Sequence, residues 1–463
     1  MEKYNPDWSL MTDLYQLTMT AGYVKADKIK EEATFNLFFR KLPPNWGFCV
    51  FAGLERIVSY LLNLRFTGKQ IDYLRKSPIF SKKDIYGKNF NDFFDYLRNF
   101  RFTGNVYGVP EGELIFPNEP ILSIVAPLPE AQIIETFLLQ TVNFQTLIAT
   151  KSARICLAAG EDPVLEFGAR RAQGFDGALS ASRVAYIGGC AATSNVLAGQ
   201  KYGIPVAGTH AHSWIMSFEN ELESFGKYAE VFPDSTFFLV DTTNTLQGVK
   251  NAASMAFLLT CRGHKIQGIR LDSGDLLKLS NASYKIFKNQ DLSDIVIVAS
   301  GDLDEYEIAR LKASGAKINA WGVGTKLATS FDYPALGGVY KLAEIDGIPK
   351  IKIAGEKTTN PCRQNIWRSF YRNSDIICLS DETPYNRTKL YQLLTEKIIK
   401  NGKLIYKLPK IKEIKNNAQE NLEYLPKKHK LLENPKKYPV HLSPKLQEIK
   451  DKLLAKAKTK GIP

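Results

Sequence analysis

Only five histidines occur in the 463 residues, and two of them stand two apart in the string Gly208-Thr209-His210-Ala211-His212-Ser213. An imidazole there can hold a metal, act as a general base or accept a phosphoryl group as a nucleophile. A metal pair is disfavoured, because histidines at i and i+2 on a loop lack an obvious third ligand. Catalysis and a structural imidazole remain open. Further along, Arg270-Leu271-Asp272-Ser273-Gly274-Asp275 sets a guanidinium fork beside two carboxylates. Such carboxylates can accept hydrogen bonds from a sugar diol or hold Mg²⁺ through oxygen. Equally, Asp272 or Ser273 can cap a helix whose N-terminal charge is Asp275. Arg170, Arg171 and Arg270 are shaped for bidentate contact to a carboxylate or phosphate, which implies an anionic substrate unless they only form structural ion pairs. Ser300-Gly301-Asp302 and Gly322-Val323-Gly324-Thr325 are small enough for backbone N–H groups to approach a phosphate closely, or simply to fit tight turns.

These strings are positioned by short apolar runs that each precede a polar loop. Eight such runs are read between about 164 and 342: 164–167, 185–187, 205–207, 237–240, 268–271, 295–299, 318–321 and 339–342. Helix-like segments at 178–183, 245–258 and 304–314 alternate with them. This is the β-α alternation of a parallel sheet closed into a barrel, whose chemistry sits at the C-terminal ends of its strands. Before it, residues 1 to about 100 mix helical stretches at 11–24, 48–64 and 90–97 with an alternating strand at 33–40. β-like runs at 106–109, 113–116 and 121–125 predict a small antiparallel sheet, followed by a long helix over 130–159. The expected fold is therefore α/β: an N-terminal α+β domain with its connecting helix (1–159), a parallel β/α barrel (160–345), and a C-terminal segment returning to the N-terminal domain plus a Lys-rich tail (346–463).

Composition excludes several classes. With 44% hydrophobic, 11% aromatic and 24% charged residues the chain is neither disordered nor fibrous. No run of 18 apolar residues occurs, and Met1 to Leu10 carries charges and Pro6 where a signal peptide needs an apolar core, so a cytoplasmic protein without a membrane partner is expected. The six cysteines are scattered without a C-x-x-C pair, which argues against a zinc ribbon or a disulfide framework. The net charge is +13, but residues 381–463 hold 20 Lys+Arg against 9 Asp+Glu and so account for +11 of it. A Lys-rich solvated surface explains this without nucleic acid, since no aromatics are regularly interleaved.

Taken together, the strings resemble the nicotinate phosphoribosyltransferases of the type II phosphoribosyltransferase kind. The matching pieces run in order from Thr12-Asp13-Leu14-Tyr15-Gln16 and Phe38-Phe39-Arg40-Lys41, through Glu166-Phe167-Gly168-Ala169-Arg170-Arg171, Gly188-Gly189, Thr193-Ser194-Asn195 and Gly208-Thr209 with Ala211-His212-Ser213. They continue through Arg270 to Asp275 and Gly322 to Thr325, ending at Leu336-Gly337-Gly338-Val339-Tyr340. The resemblance implies condensation of nicotinate with 5-phosphoribosyl 1-pyrophosphate, coupled to ATP hydrolysis, with Mg²⁺ expected although its ligands are not given. It also implies a homodimer with shared active sites. His212 matches the family's phosphorylated histidine. Tyr15 and Phe167 would stack on the pyridine ring, and Arg270, Thr209 and Arg170 would hold its carboxylate. Asp272 and Ser273 would bind the ribose, Gly301, Gly322, Gly324 and Thr325 its 5-phosphate, and Arg40 and Lys41 the pyrophosphate. Cys362 stands where relatives commonly have glycine. Two alternatives remain: a nicotinamide phosphoribosyltransferase, against which Gly188 to Thr193 offers no carboxylate for an amide, and a non-catalytic barrel binding nucleic acid through its basic tail.

Overall fold

The computed structural model describes residues 5–353, 357–384 and 390–459. The ends of the N-terminal and Lys-rich stretches, and part of the segment before Cys362, lie outside them. The chain divides into two compact units, Leu147–Pro334 and the combination of Met1–Thr146 with Ala335–Pro463.

Unit 147–334 is built on six parallel strands in the spatial order Ala192–Thr193, Val164–Glu166, Ala320–Val323, Val296–Ala299, Gly268–Leu271 and Phe237–Leu239. Their cores are short apolar runs, as expected of a sheet covered by helices. The first of these six strands in sequence, Val164–Glu166, pairs with the last, Ala320–Val323, and the sheet curls into a half-barrel; a single bridge from Thr193 to Val206 adds one more rung. Three of the eight expected runs are therefore not barrel strands. Residues 185–187 end the helix Gly174–Ile187, whose last nine residues are all buried. A helix apolar on every side has no readable periodicity, so its end looks like a strand. Residues 205–207 contribute only the Val206 bridge. Residues 339–342 do form a strand, but in the other unit. Ala192–Thr193, two residues long, was too short to be read.

In the other unit a sheet of seven strands centres on Glu32–Phe39, which pairs antiparallel with Gly338–Ile345 on one side and Leu122–Pro127 on the other. It is larger than the small sheet expected, because strands from the C-terminal stretch join it, including the hairpin of Glu396–Lys400 with Lys403–Leu404. The expected helix over 48–64 divides into strand Cys49–Val50 and helix Leu54–Asn63, and the one over 130–159 is interrupted at Ile134. Where it is described, the basic C-terminal stretch is folded. Val440–Leu442 pairs with Asp375–Leu379, and the helix Pro444–Thr459 buries Leu446 against Ile377. Beneath them Arg368 is buried and bonded to Asp375, Glu113 and the Leu114 carbonyl. Among the described residues no helix is long and apolar enough to cross a membrane.

Candidate active site

The polar residues beyond the strand ends of unit 147–334 divide into two kinds. Some are spent on helix starts: Asn195, Asn244, Asp275 and Asp304 each accept a backbone N–H of the first turn that follows. Asp275 is thus the cap itself, rather than Asp272 or Ser273, and its carboxyl is tied to Lys278. Others turn toward one another and form a connected group.

At its centre is Arg270, 11% exposed at the side chain. Its Nε donates to Ser300 Oγ at 2.7 Å, Nη1 to Thr209 Oγ1 at 3.1 Å and Nη2 to Asp272 Oδ1 at 2.5 Å. The Ser300 hydroxyl in turn donates a hydrogen bond to Asp272 Oδ1. A guanidinium has five N–H donors, so two remain for a ligand. Burial alone would push the Asp272 carboxyl up. The Ser300 hydroxyl, Arg270 and His212 together outweigh this and hold it below the usual carboxylate range.

His212 opens the short helix His212–Met216 and is 40% exposed. Its Nδ1 lies 3.1 Å from Thr242 Oγ1, and its Nε2 faces Asp272 Oδ2 at 3.9 Å. Asp241, next to Thr242, accepts both the Asp272 N–H (2.9 Å) and the Ser273 hydroxyl (2.7 Å) on Oδ2, while its Oδ1 is buried without a partner. Sequence reasoning does not single out Asp241 and Thr242. The signal was there, because they directly follow a strand run as Asp272 does, but residue type alone gave them no task.

The second histidine does something else. His210 is buried, with its Nε2 accepting the Leu239 N–H at 3.3 Å and its ring centroid 4.8 Å from Tyr228. Burial, with the charges of Arg270 and His212, lowers its pKa from 6.5 to about 4. The sign follows: the unfolded chain takes up the proton first as pH falls, so stability drops between about pH 6.5 and 4, by roughly 3 kcal/mol, and levels below that. Urea unfolding midpoints measured across this range should fall in the native protein and stay flatter in His210→Gln; identical slopes would place the acid sensitivity elsewhere.

Phe167 lies beside this group, its ring centre 5.8 Å from the Arg270 guanidinium carbon. That ring explains Gly322, where a Cβ would meet it at 2.7 Å. Gly301, at φ +94°, lets its loop press on the Asp272 carbonyl where any Cβ would collide. Gly324 caps the helical turn Thr325–Ala328. An ion pair from Lys326 to Asp304, at 2.8 Å, ties the two late loops together. Glu305 anchors them from below through buried pairs with Lys151 (2.7 Å) and Arg154 (2.9 Å). Arg170 and Arg171 are exposed on the turn Ala169–Arg171. The Gly188-Gly189 pair serves packing instead, since a Cβ at Gly188 would collide with the Ala149 carbonyl.

Tyr15, Arg40 and Lys41 belong to the other unit. Tyr15 is 48% exposed on the helix Leu14–Lys25, and Arg40 follows the strand Glu32–Phe39 with Lys41 exposed beside it.

The chain matches three family models in succession: the nicotinate phosphoribosyltransferase N-terminal domain over residues 10–143, the nicotinate phosphoribosyltransferase family over 163–374 and its C-terminal domain over 373–450. It is 43% identical to a nicotinate phosphoribosyltransferase of Bacillus subtilis, covering 94% of this chain and 93% of that one. A nicotinate phosphoribosyltransferase of Caenorhabditis elegans is 35% identical over 95% and 92% of the two chains. The crystal structure of human nicotinic acid phosphoribosyltransferase superposes with a TM-score of 0.82 at 32% identity, covering 96% of this chain and 99% of that one.

Proposed function

We propose that this chain, which belongs to the nicotinate phosphoribosyltransferase family, condenses nicotinate with 5-phosphoribosyl 1-pyrophosphate to nicotinate mononucleotide and pyrophosphate, an NAD salvage reaction. The observation that carries this reading is the Arg270 hub, which joins a carboxylate seat, Asp272 and, through Asp272, the His212 imidazole.

The pyridine nitrogen is already a nucleophile, so the protein has little proton chemistry to do. As the bond from C1 to pyrophosphate breaks, positive charge grows on the ribose and negative charge on the leaving group, and fixed charges supply the stabilisation. Arg270 and Thr209 hold the nicotinate carboxylate, with Arg170 as a further cation, and Phe167 and Tyr15 stack on the ring. Asp272 and Ser273 take the ribose hydroxyls. Gly301, Gly324 and Thr325 seat the 5-phosphate, with Gly322 kept bare behind them. Arg40 and Lys41 meet the pyrophosphate, in a homodimer whose second copy supplies Tyr15.

The partnerless Oδ1 of Asp241 and the carboxylate of Asp272 suit Mg²⁺, which binds through one or two carboxylates together with substrate phosphates. Bound there it would neutralise charge on the phosphates. Asp275, occupied as a helix cap, is not part of this set. ATP fits the same reading as a co-substrate: its γ-phosphoryl group passes to a nitrogen of His212 and ADP leaves; water later takes the group as phosphate.

Turnover should be selective for the acid. The two spare N–H donors of Arg270 make charge-assisted bonds to nicotinate that nicotinamide cannot match, a difference of about 2–3 kcal/mol, so kcat/KM should favour nicotinate by about a hundredfold. Initial rates with each pyridine, with and without ATP, test this, and equal rates would defeat the carboxylate seat.

A further inference from the structure

Two stretches have no task in the transferase reading: the Thr358–Cys362 turn and the basic C-terminal helix. They meet at a cavity of about 300 Å³ whose lining includes Phe38, Asn118, Thr359, Asn360 and Lys450. Lys450, from the helix Pro444–Thr459, is half-buried, and its Nζ donates to Asn360 Oδ1 at 2.9 Å. Among the described residues no carboxylate lies within ion-pair distance of it. Burial lowers its ammonium pKa from the ordinary value. A desolvated cation whose partner is a neutral amide is an incomplete arrangement, since charges removed from water are normally matched by an opposite charge.

The rest of the lining completes the argument. Asn118, held at φ +69°, Thr359 and Asn360 bring amide and hydroxyl groups to the same space. Outside the lining, the Phe38 ring carries a second cation: the Arg40 guanidinium carbon is 5.5 Å from it, and its Nε is buried without a partner. An under-neutralised cation and a polar frame at one cavity, with a further cation next to its Phe38 wall, describe an anion seat. The polar groups come from three separate stretches of chain, at 118, 359–360 and 450, and the volume admits one or two phosphoryl groups.

We propose that this cavity binds a phosphate-bearing anion, with Lys450 as its counter-charge and Asn118, Thr359 and Asn360 as its polar frame. The site itself does not rest on the transferase reading. That reading does give Arg40 to pyrophosphate, so the anion has two sources: the pyrophosphate group of the transferase substrate or a separate phosphate-bearing effector.

Lysine acetylation of the full-length resting protein, followed by peptide mass spectrometry, reads the site without turnover. Inorganic pyrophosphate should slow labelling of Lys450 about tenfold while leaving exposed Lys452 unchanged, and calorimetric affinity for pyrophosphate should fall about tenfold in Lys450→Met and recover in Lys450→Arg. Kinetics then identify the source. A raised KM for 5-phosphoribosyl 1-pyrophosphate in Lys450→Met marks the substrate's pyrophosphate, and an unchanged KM alongside lost anion binding marks an effector. Equal labelling of Lys450 with and without pyrophosphate, or an unaltered isotherm in a folded Lys450→Met protein, overturns the proposal.

Discussion

Arg270→Met lowers kcat/KM for nicotinate by about a thousandfold while leaving the fold intact. Two contributions add. The bound carboxylate loses charge-assisted hydrogen bonds, and Asp272, Ser300 and Thr209 lose the donor that organises them, together on the order of 4 kcal/mol. Loss of the guanidinium also removes one of the groups that hold the Asp272 carboxyl down, so its protonation should begin at higher pH and the acid limb of kcat/KM should move up. Arg270→Lys should recover only part of the loss, because one ammonium cannot meet three partners and a ligand in the plane of a fork. Steady-state kinetics over a pH series, with thermal unfolding to confirm folding, measure all of this. A loss below tenfold, or an acid limb that stays in place, would remove Arg270 from the centre of the site.

The hub was legible because its members have distinctive chemistry at strand ends: Arg270, Asp272 and His212 stand out by residue type and position, and Thr209 follows from the resemblance. What the residues could not say is which polar groups after a strand face a ligand and which start a helix. Asp272 and Asp275 look alike in sequence, and only the helix start at Leu276 separates them, by making Asp275 the cap. His210 and His212 likewise differ through burial alone, one against aromatic rings and the other toward Asp272. At the level of the fold, five of the eight proposed barrel runs lie on strands of the half-barrel. The misplaced ones failed for reasons of physics: a fully buried helix hides its period, and an isolated strand pattern does not reveal which sheet it will join.

His212→Ala should abolish ATP hydrolysis and ATP stimulation together, leaving a slow transferase that ignores ATP. The reason is the separation of tasks within the site. The pyridine, ribose and phosphate contacts run through Arg270, Asp272 and the late loops, none of which needs the imidazole, whereas a phosphoryl group needs a nucleophile near the reacting phosphates. A phosphorylated His212 would place new negative charge beside Asp272, so the arrangement of cations and carboxylates around the pyrophosphate must differ between the two states, and that difference is what ATP can drive. Label from the γ-phosphate of ATP should remain on the native protein in acid-labile, base-stable form and be absent from the variant. Thr242→Val keeps the imidazole but removes its hydroxyl partner, so it should slow labelling without preventing it, and Thr242→Ser should restore the rate. If His212→Ala still couples ATP to product formation, the nucleophile is another residue and the histidine only shapes the loop. If ATP never leaves label on the native protein, this chain runs the transfer on binding energy alone, and the Arg270 hub must then account for the whole of the rate.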